Sequence, residues 1–208
     1  AAVRNDASAR QPPSDGWRRG PPVSPARFAA EIAMKTFTNG ADAAVVSKLY
    51  QQCVEAGFAE VTQLSYPRLK WTDEDVSELG ATVRALLCPH VTMLKLTMND
   101  MRYLVVLGDA IDAGALPELR TLVLAACSFL EKLPEAVGKL ARLQTIVLSD
   151  CPNLRPLPAS LTALRSLKLL DLRGTTPPAC QIVPEHRALR RRGVTILHGP
   201  ITHTPKLR

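Results

Sequence analysis

Aromatic side chains are scarce in this 208-residue chain, at 4% of a composition that is 46% apolar, so any core must be built from Leu, Val and Ala rather than large rings. Stacked aliphatic layers suit that inventory better than a sandwich packed on aromatics. Long apolar runs are also missing. The longest, such as Leu104-Val105-Val106-Leu107, fall far short of the roughly 18 residues a bilayer-spanning helix needs, and no transmembrane helix is expected. The five cysteines, Cys53, Cys88, Cys127, Cys151 and Cys180, are odd in number and include no C-x-x-C pair, and no secretory signal is recognised. Reduced thiols in an intracellular compartment are therefore expected. No glycine-rich phosphate loop precedes a helix, since Gly138-Lys139 has no upstream glycine at the required spacing. Cys88-Pro-His90 is a lone Cys-x-His without a second pair at zinc-ligand spacing.

Charge is present but unevenly placed. The net +7 resembles a nucleic-acid signature until it is divided along the chain. Residues 1–27 carry five Arg against two Asp, and residues 184–208 carry six Lys or Arg against Glu185 alone, leaving residues 28–183 close to neutral. Any contact with RNA, anionic lipid or an acidic protein groove therefore falls to the two ends, with Trp17, Arg18 and Arg19 at one and Arg190, Arg191 and Arg192 at the other. Residues 4–27 are rich in Ala, Arg, Ser and Pro, a composition shared by organelle transit peptides and disordered linkers. A processed plastid or mitochondrial protein and a cytoplasmic one both fit.

The dominant signal is internal repetition. Leu119-Arg-Thr-Leu122-Val-Leu124-Ala-Ala-Cys127 is followed 24 residues later by Leu143-Gln-Thr-Ile146-Val-Leu148-Ser-Asp-Cys151, and after another 24 by Leu167-Lys-Leu-Leu170-Asp-Leu172-Arg-Gly-Thr175. The intervening halves match as well, Leu130-Glu-Lys-Leu133-Pro134 aligning with Leu154-Arg-Pro-Leu157-Pro158. An upstream unit, Val91-Thr-Met-Leu94-Lys-Leu96-Thr-Met-Asn99, joins at a spacing of 28, and a degenerate one begins near Leu64. These residues resemble the leucine-rich repeat signature L-x-x-L-x-L-x-x-N/C-x-L. The 24-residue units look like the Leu-Pro subtype of plants and algae, and the longer one is similar to the ribonuclease-inhibitor type with a full convex helix. The resemblance implies an α/β fold: a short leucine-rich repeat solenoid with a curved parallel sheet and a helical or irregular convex side.

Each position has a physical reason. In L-x-x-L-x-L the fourth and sixth residues share one face of a short strand, and their neighbours share the other. The Asn or Cys turns inward, where its polar group must meet a backbone partner. Leu-Pro then fixes φ and starts the convex turn. A solenoid exposes its core at both ends, so caps are expected. Residues 186–192 read as a short basic helix stopped by Gly193, followed by a last strand at Val194-Thr-Ile-Leu197. Residues 25–58 read as two helices broken at Asn39-Gly40 and at Gly57, either capping the first repeat or docking a partner. The register of Cys53 with Leu49 and Tyr50 predicts a buried thiol. His186, His198 and His203 read as surface residues. The organisation is thus a basic Pro/Arg-rich tail (1–25), a helical hairpin (26–60), leucine-rich repeats (61–183), and a C-terminal cap with a basic tail (184–208).

The residues that point outward from the strands follow from the register. Met93 and Lys95, Thr121 and Val123, Thr145 and Val147, and Leu169 and Asp171 line the concave face, with Asp150 and Arg173 beyond them. This pattern predicts an apolar centre of Met93, Val123, Val147 and Leu169 with charge at its edges, as in an interface core with a polar rim. No nucleophile and base can be paired, and no cofactor or metal is expected. The favoured reading is a non-catalytic accessory or scaffold subunit whose partners are neighbouring proteins of a larger assembly. The alternative is a signalling or substrate-recruiting adaptor that binds a transient ligand on the concave face.

Overall fold

The computed structural model describes residues 20–35, 42–176 and 184–199. Six three-residue strands stack in chain order into one parallel sheet: β1 (Gln63–Ser65), β2 (Met93–Lys95), β3 (Thr121–Val123), β4 (Thr145–Val147), β5 (Leu169–Asp171) and β6 (Thr195–Leu197). The register places Leu64, Leu94, Leu122, Ile146, Leu170 and Ile196 in one inward row. Two residues on, Leu96, Leu124, Leu148 and Leu172 form a second row, each fully buried. The sequence periodicity and the sheet register agree, and the chain is an α/β leucine-rich repeat solenoid.

The convex side changes character along the solenoid. The first units close with α-helices, α3 (Asp73–Leu86) and α4 (Val105–Asp112), whereas the Leu-Pro units close with single 3-10 turns at Glu135–Lys139 and Ala159–Ala163. Pro134 and Pro158 stand just before those turns at φ −68° and −63°, the value a pyrrolidine ring imposes. Gly80 and Gly138 permit the close stacking, because a Cβ at Gly138 would lie 2.5 Å from the Ser160 carbonyl oxygen and one at Gly80 would lie 2.8 Å from the Val106 carbonyl carbon. A left-handed residue recurs after each strand from β1 to β5, at Arg68, Met98, Ala126, Asp150 and Gly174.

The inward turn position behaves as its chemistry requires. Asn99 Oδ1 accepts from the backbone N–H groups of Leu69 and Trp71, and its Nδ2 donates to the carbonyls of Tyr66 and Leu96. Cys127 and Cys151 donate from sulfur to the carbonyls of Leu96 and Leu124, and the Thr175 hydroxyl donates to the carbonyl of Leu172. The degenerate first unit carries Leu69 at this position, so its loop is satisfied by Asn99 of the next unit.

Before β1, α1 (Pro25–Ala33) and α2 (Asp42–Ala59) pack together, with Phe28 and Tyr50 stacked at 3.7 Å. The break expected at Gly57 does not occur, and α2 runs through it to Ala59. A single glycine costs a helix only about 1 kcal/mol, and Phe58, packed against the core just beyond it, offsets that. The expected break at Asn39-Gly40 falls outside the described residues. The hairpin is tied to α3 by Ser24 N–H donating to Glu78 at 2.7 Å and by the Thr82 hydroxyl donating to the Pro22 carbonyl. At the other end α5 (Pro184–Arg191), left-handed Gly193 at φ +83° and β6 close the sheet.

Candidate concave surface and its surroundings

The side chains opposite the inward row form two parallel lines across the sheet. Gln63, Met93, Thr121, Thr145, Leu169 and Thr195 make one, and Ser65, Lys95, Val123, Val147, Asp171 and Leu197 make the other. Neighbours along a line are about 4.8 Å apart. The four apolar residues expected to form one centre are therefore divided: Met93 and Leu169 sit at either end of a pair of threonines, whereas Val123 and Val147 are adjacent. Lys95, Val123 and Val147 are half-exposed. The surface is uncharged in the middle, and Ser65, Thr121, Thr145 and Thr195 supply hydroxyls across it.

The charged residues at its far edge are engaged with one another. Asp171, although on the outward line, is only 4% exposed. Arg173 covers it, donating from Nε at 2.9 Å and from a terminal nitrogen at 2.7 Å. Residues i and i+2 of an extended segment share a face, which brings the two together. Asp150 lies over Gly174, where a Cβ would collide with its Oδ1.

The tail residues divide likewise. Trp17, Arg18 and Arg19 lie outside the described residues. Arg190 and Arg191 are exposed on α5, but Arg192 is committed to the fold: its guanidinium donates to the carbonyls of Thr162 and Leu164 and ties the cap to the last 3-10 turn.

Three sequence expectations are corrected. Cys53 is exposed rather than buried, because Tyr50, not Leu49, is on the covered side of α2, and Leu49 is itself 55% exposed. His186 is buried at 1% exposure, and His198 lies against it with ring centroids 5.9 Å apart. His198 continues the second inward row, two residues beyond Ile196, and takes the place a leucine holds in the units of β2 to β5. Burial, and then the charge of Arg190, holds its imidazole below the usual range. His203 and Cys180 lie outside the described residues.

Cys88, Cys127 and Cys151 are buried, and desolvation raises all three thiols, that of Cys151 to about 12. Among the described residues no group of three or more His, Cys, Asp or Glu side chains is placed to hold a metal ion. Among the four described cysteines, native protein treated with a maleimide at neutral pH is expected to label at Cys53 first. Cys127 and Cys151 should react on the order of a thousandfold more slowly, because the thiolate is the reactive species. Peptide mapping by mass spectrometry checks this, and labelling of Cys151 as fast as Cys53 in native protein would contradict the ladder geometry.

A second exposed feature carried no periodic signal. Phe129, 47% exposed, and Tyr103, 39% exposed, stand beyond the C-terminal ends of the strands. Phe129 lines a depression with Arg102, Glu131, Asn153 and Arg155, and Glu131 accepts from Tyr103 and pairs with Arg155 at 2.7 Å. The alignment of Phe129 with Asn153, each two residues after the turn cysteine, is the one signal that distinguishes this position in the sequence.

No helix among the described residues is long and apolar enough to cross a membrane. No protein-family model matches the chain, and no curated protein matches it. Among solved structures it is similar to a leucine-rich repeat protein of Leptospira interrogans, with 19% identity, 73% of this chain covered and a TM-score of 0.38. It spans 39% of that protein's length. It is also similar to the leucine-rich repeat domain of the type III effector XopL, with 14% identity, 85% of this chain and 89% of that one covered, and a TM-score of 0.37.

Proposed function

We propose that this leucine-rich repeat solenoid is a non-catalytic protein-binding module, an accessory or scaffold subunit that holds neighbouring proteins of a larger assembly through its concave face. The supporting observation is the continuous outward face of the six strands, in which Val123 and Val147 are adjacent, half-exposed and flanked by Lys95 and the Asp171–Arg173 pair. Apolar side chains on neighbouring strands, rimmed by charge, offer a partner element area to bury without a pocket to fill. The Leu-Pro repeats belong to the plant and algal subtype in this reading, the longer unit to the ribonuclease-inhibitor type, and the basic tails add contacts to neighbouring subunits or a polyanion.

Val147→Arg tests the reading. The side chain points to solvent, so the melting temperature should shift by only a few degrees, while a guanidinium in the middle of a buried interface should weaken binding at least about a hundredfold. Cross-linking mass spectrometry on native extract, with wild type and variant compared, reads the outcome. The expected result is loss of the cross-links that flank β3 to β5. An unchanged set of neighbours would overturn the concave assignment, and neighbours that exchange rapidly and are recovered only at high ligand concentration would favour the adaptor reading.

A further inference from the structure

The hairpin ahead of the first strand has two faces, and among the described residues only one is covered. On α2, Val46, Tyr50, Val54 and Phe58 are half-buried, with Tyr50 against Phe28 and Phe58 against the core. Opposite them, at 100° per residue, lie Val45, Leu49, Gln52, Ala56 and Ala59, all exposed, with Val45 at 54% and Leu49 at 55%. Neither α1 nor α2 has a buried residue, in contrast to the five and four of α3 and α4.

The spacing of that outer stripe alternates four and three, as in the seam of a two-stranded coiled coil. It carries no charge, and Ala56 and Ala59 allow a close approach at one end. Lys48 and Glu55 flank it on the same side, seven residues apart and so at the same heptad position. Opposite charges one heptad apart make the helix complementary to itself in one orientation. In an antiparallel pair each Lys48 faces the Glu55 of the other helix, giving two ion pairs. In a parallel pair the position of Lys48 faces that of Cys53, and no pairing results.

We infer that the chain self-associates through α2, a second copy docking antiparallel across Val45, Leu49, Gln52 and Ala56 with Lys48 and Glu55 paired reciprocally. This surface is separate from the concave face and does not depend on it. An 18-residue helix offers little more than two heptads, less than a standard interface of about 1,600 Å², so the dimer is reversible, with a dissociation constant on the order of tens of micromolar.

Charge reversal and rescue on the full chain under reducing conditions, read by sedimentation velocity between about 5 and 300 µM, test the inference. Lys48→Glu alone and Glu55→Lys alone each replace two attractive pairs by two repulsive ones and should weaken association about tenfold. Lys48→Glu combined with Glu55→Lys should restore it. Leu49→Glu should abolish it, and because the side chain is exposed the circular dichroism and melting curve should not change. A wild type that stays monomeric throughout, or a double variant as weak as the single ones, would overturn the inference.

Discussion

Replacing Asn99 with alanine is expected to lower the free energy of unfolding by about 4 kcal/mol, the sum of several buried backbone groups left without partners at roughly 1 kcal/mol or more each. Asn99 is 1% exposed and makes four hydrogen bonds of 2.8 to 3.1 Å. Two run to the N–H groups of Leu69 and Trp71 in the preceding unit, where the turn position is itself a leucine and can accept nothing. The substitution removes the acceptor of the Trp71 N–H inside the core, where Leu94, Leu96 and Trp71 are all at 0% exposure, and that of the Leu69 N–H at its half-buried margin. The carbonyl of Leu96 fares better, since the thiol of Cys127 also donates to it at 3.3 Å. Asn99→Cys, which copies the next two units, retains one donor but no adequate acceptor for the two N–H groups. It should lose more than half as much as the alanine variant. Chemical denaturation monitored by circular dichroism measures both, and a loss below about 1 kcal/mol for the alanine variant would mean that the loop of the first unit is held by something other than Asn99.

The sequence disclosed the strands from β2 to β5 because their signal has a period of two and repeats in register, so each inward Leu or Ile is identified by its counterparts 24 or 28 residues away, whereas β6 was legible only as the strand that follows the cap helix. The same comparison located β1 at Leu64 but not the role of the loop after that strand, because the aligned positions, Trp71, Met101, Phe129 and Asn153, hold a different residue in each unit. Helical periodicity was less decisive for α2, where apolar residues occupy both faces. Leu49, Tyr50 and Cys53 share the chain's apolar character, yet 100° separates Leu49 from Tyr50, and no local rule says which side another element covers. His198 was legible in principle, since it continues the row of Leu96, Leu124, Leu148 and Leu172, but its type suggested a surface residue. The division of the concave apolar residues between two lines follows from the register alone. The burial of Asp171 does not, because it depends on the rotamer by which Arg173 folds back over the strand.

Trp71→Ala is expected to cost about 3 to 5 kcal/mol, the range for removing a buried large ring with incomplete collapse of the cavity. Trp71 is at 0% exposure, and its ring stacks on Tyr66 at 4.7 Å. Its backbone joins the same network, the N–H donating to Asn99 Oδ1 and the carbonyl accepting from Asp100 N–H at 2.8 Å. The indole therefore belongs to the core beside the first strand, at the position that Met101, also at 0% exposure, holds in the next unit. Each unit of a solenoid touches only its neighbours, so the damage should be graded along the chain. Hydrogen exchange should show β1, α3 and the hairpin losing protection, while β4, β5 and β6 retain theirs until the array as a whole unfolds. Trp71→Phe, which keeps a ring against Tyr66, should lose about half as much. Equal loss of protection at β5 and β1 would show that the solenoid opens as one cooperative block. If the loss is graded, Val123 and Val147, on β3 and β4, lie between the damaged end and the intact one, and binding at Val147 should survive a substitution that frays the hairpin. A partner held by the concave face would then be retained by Trp71→Ala under conditions where association through α2 is lost.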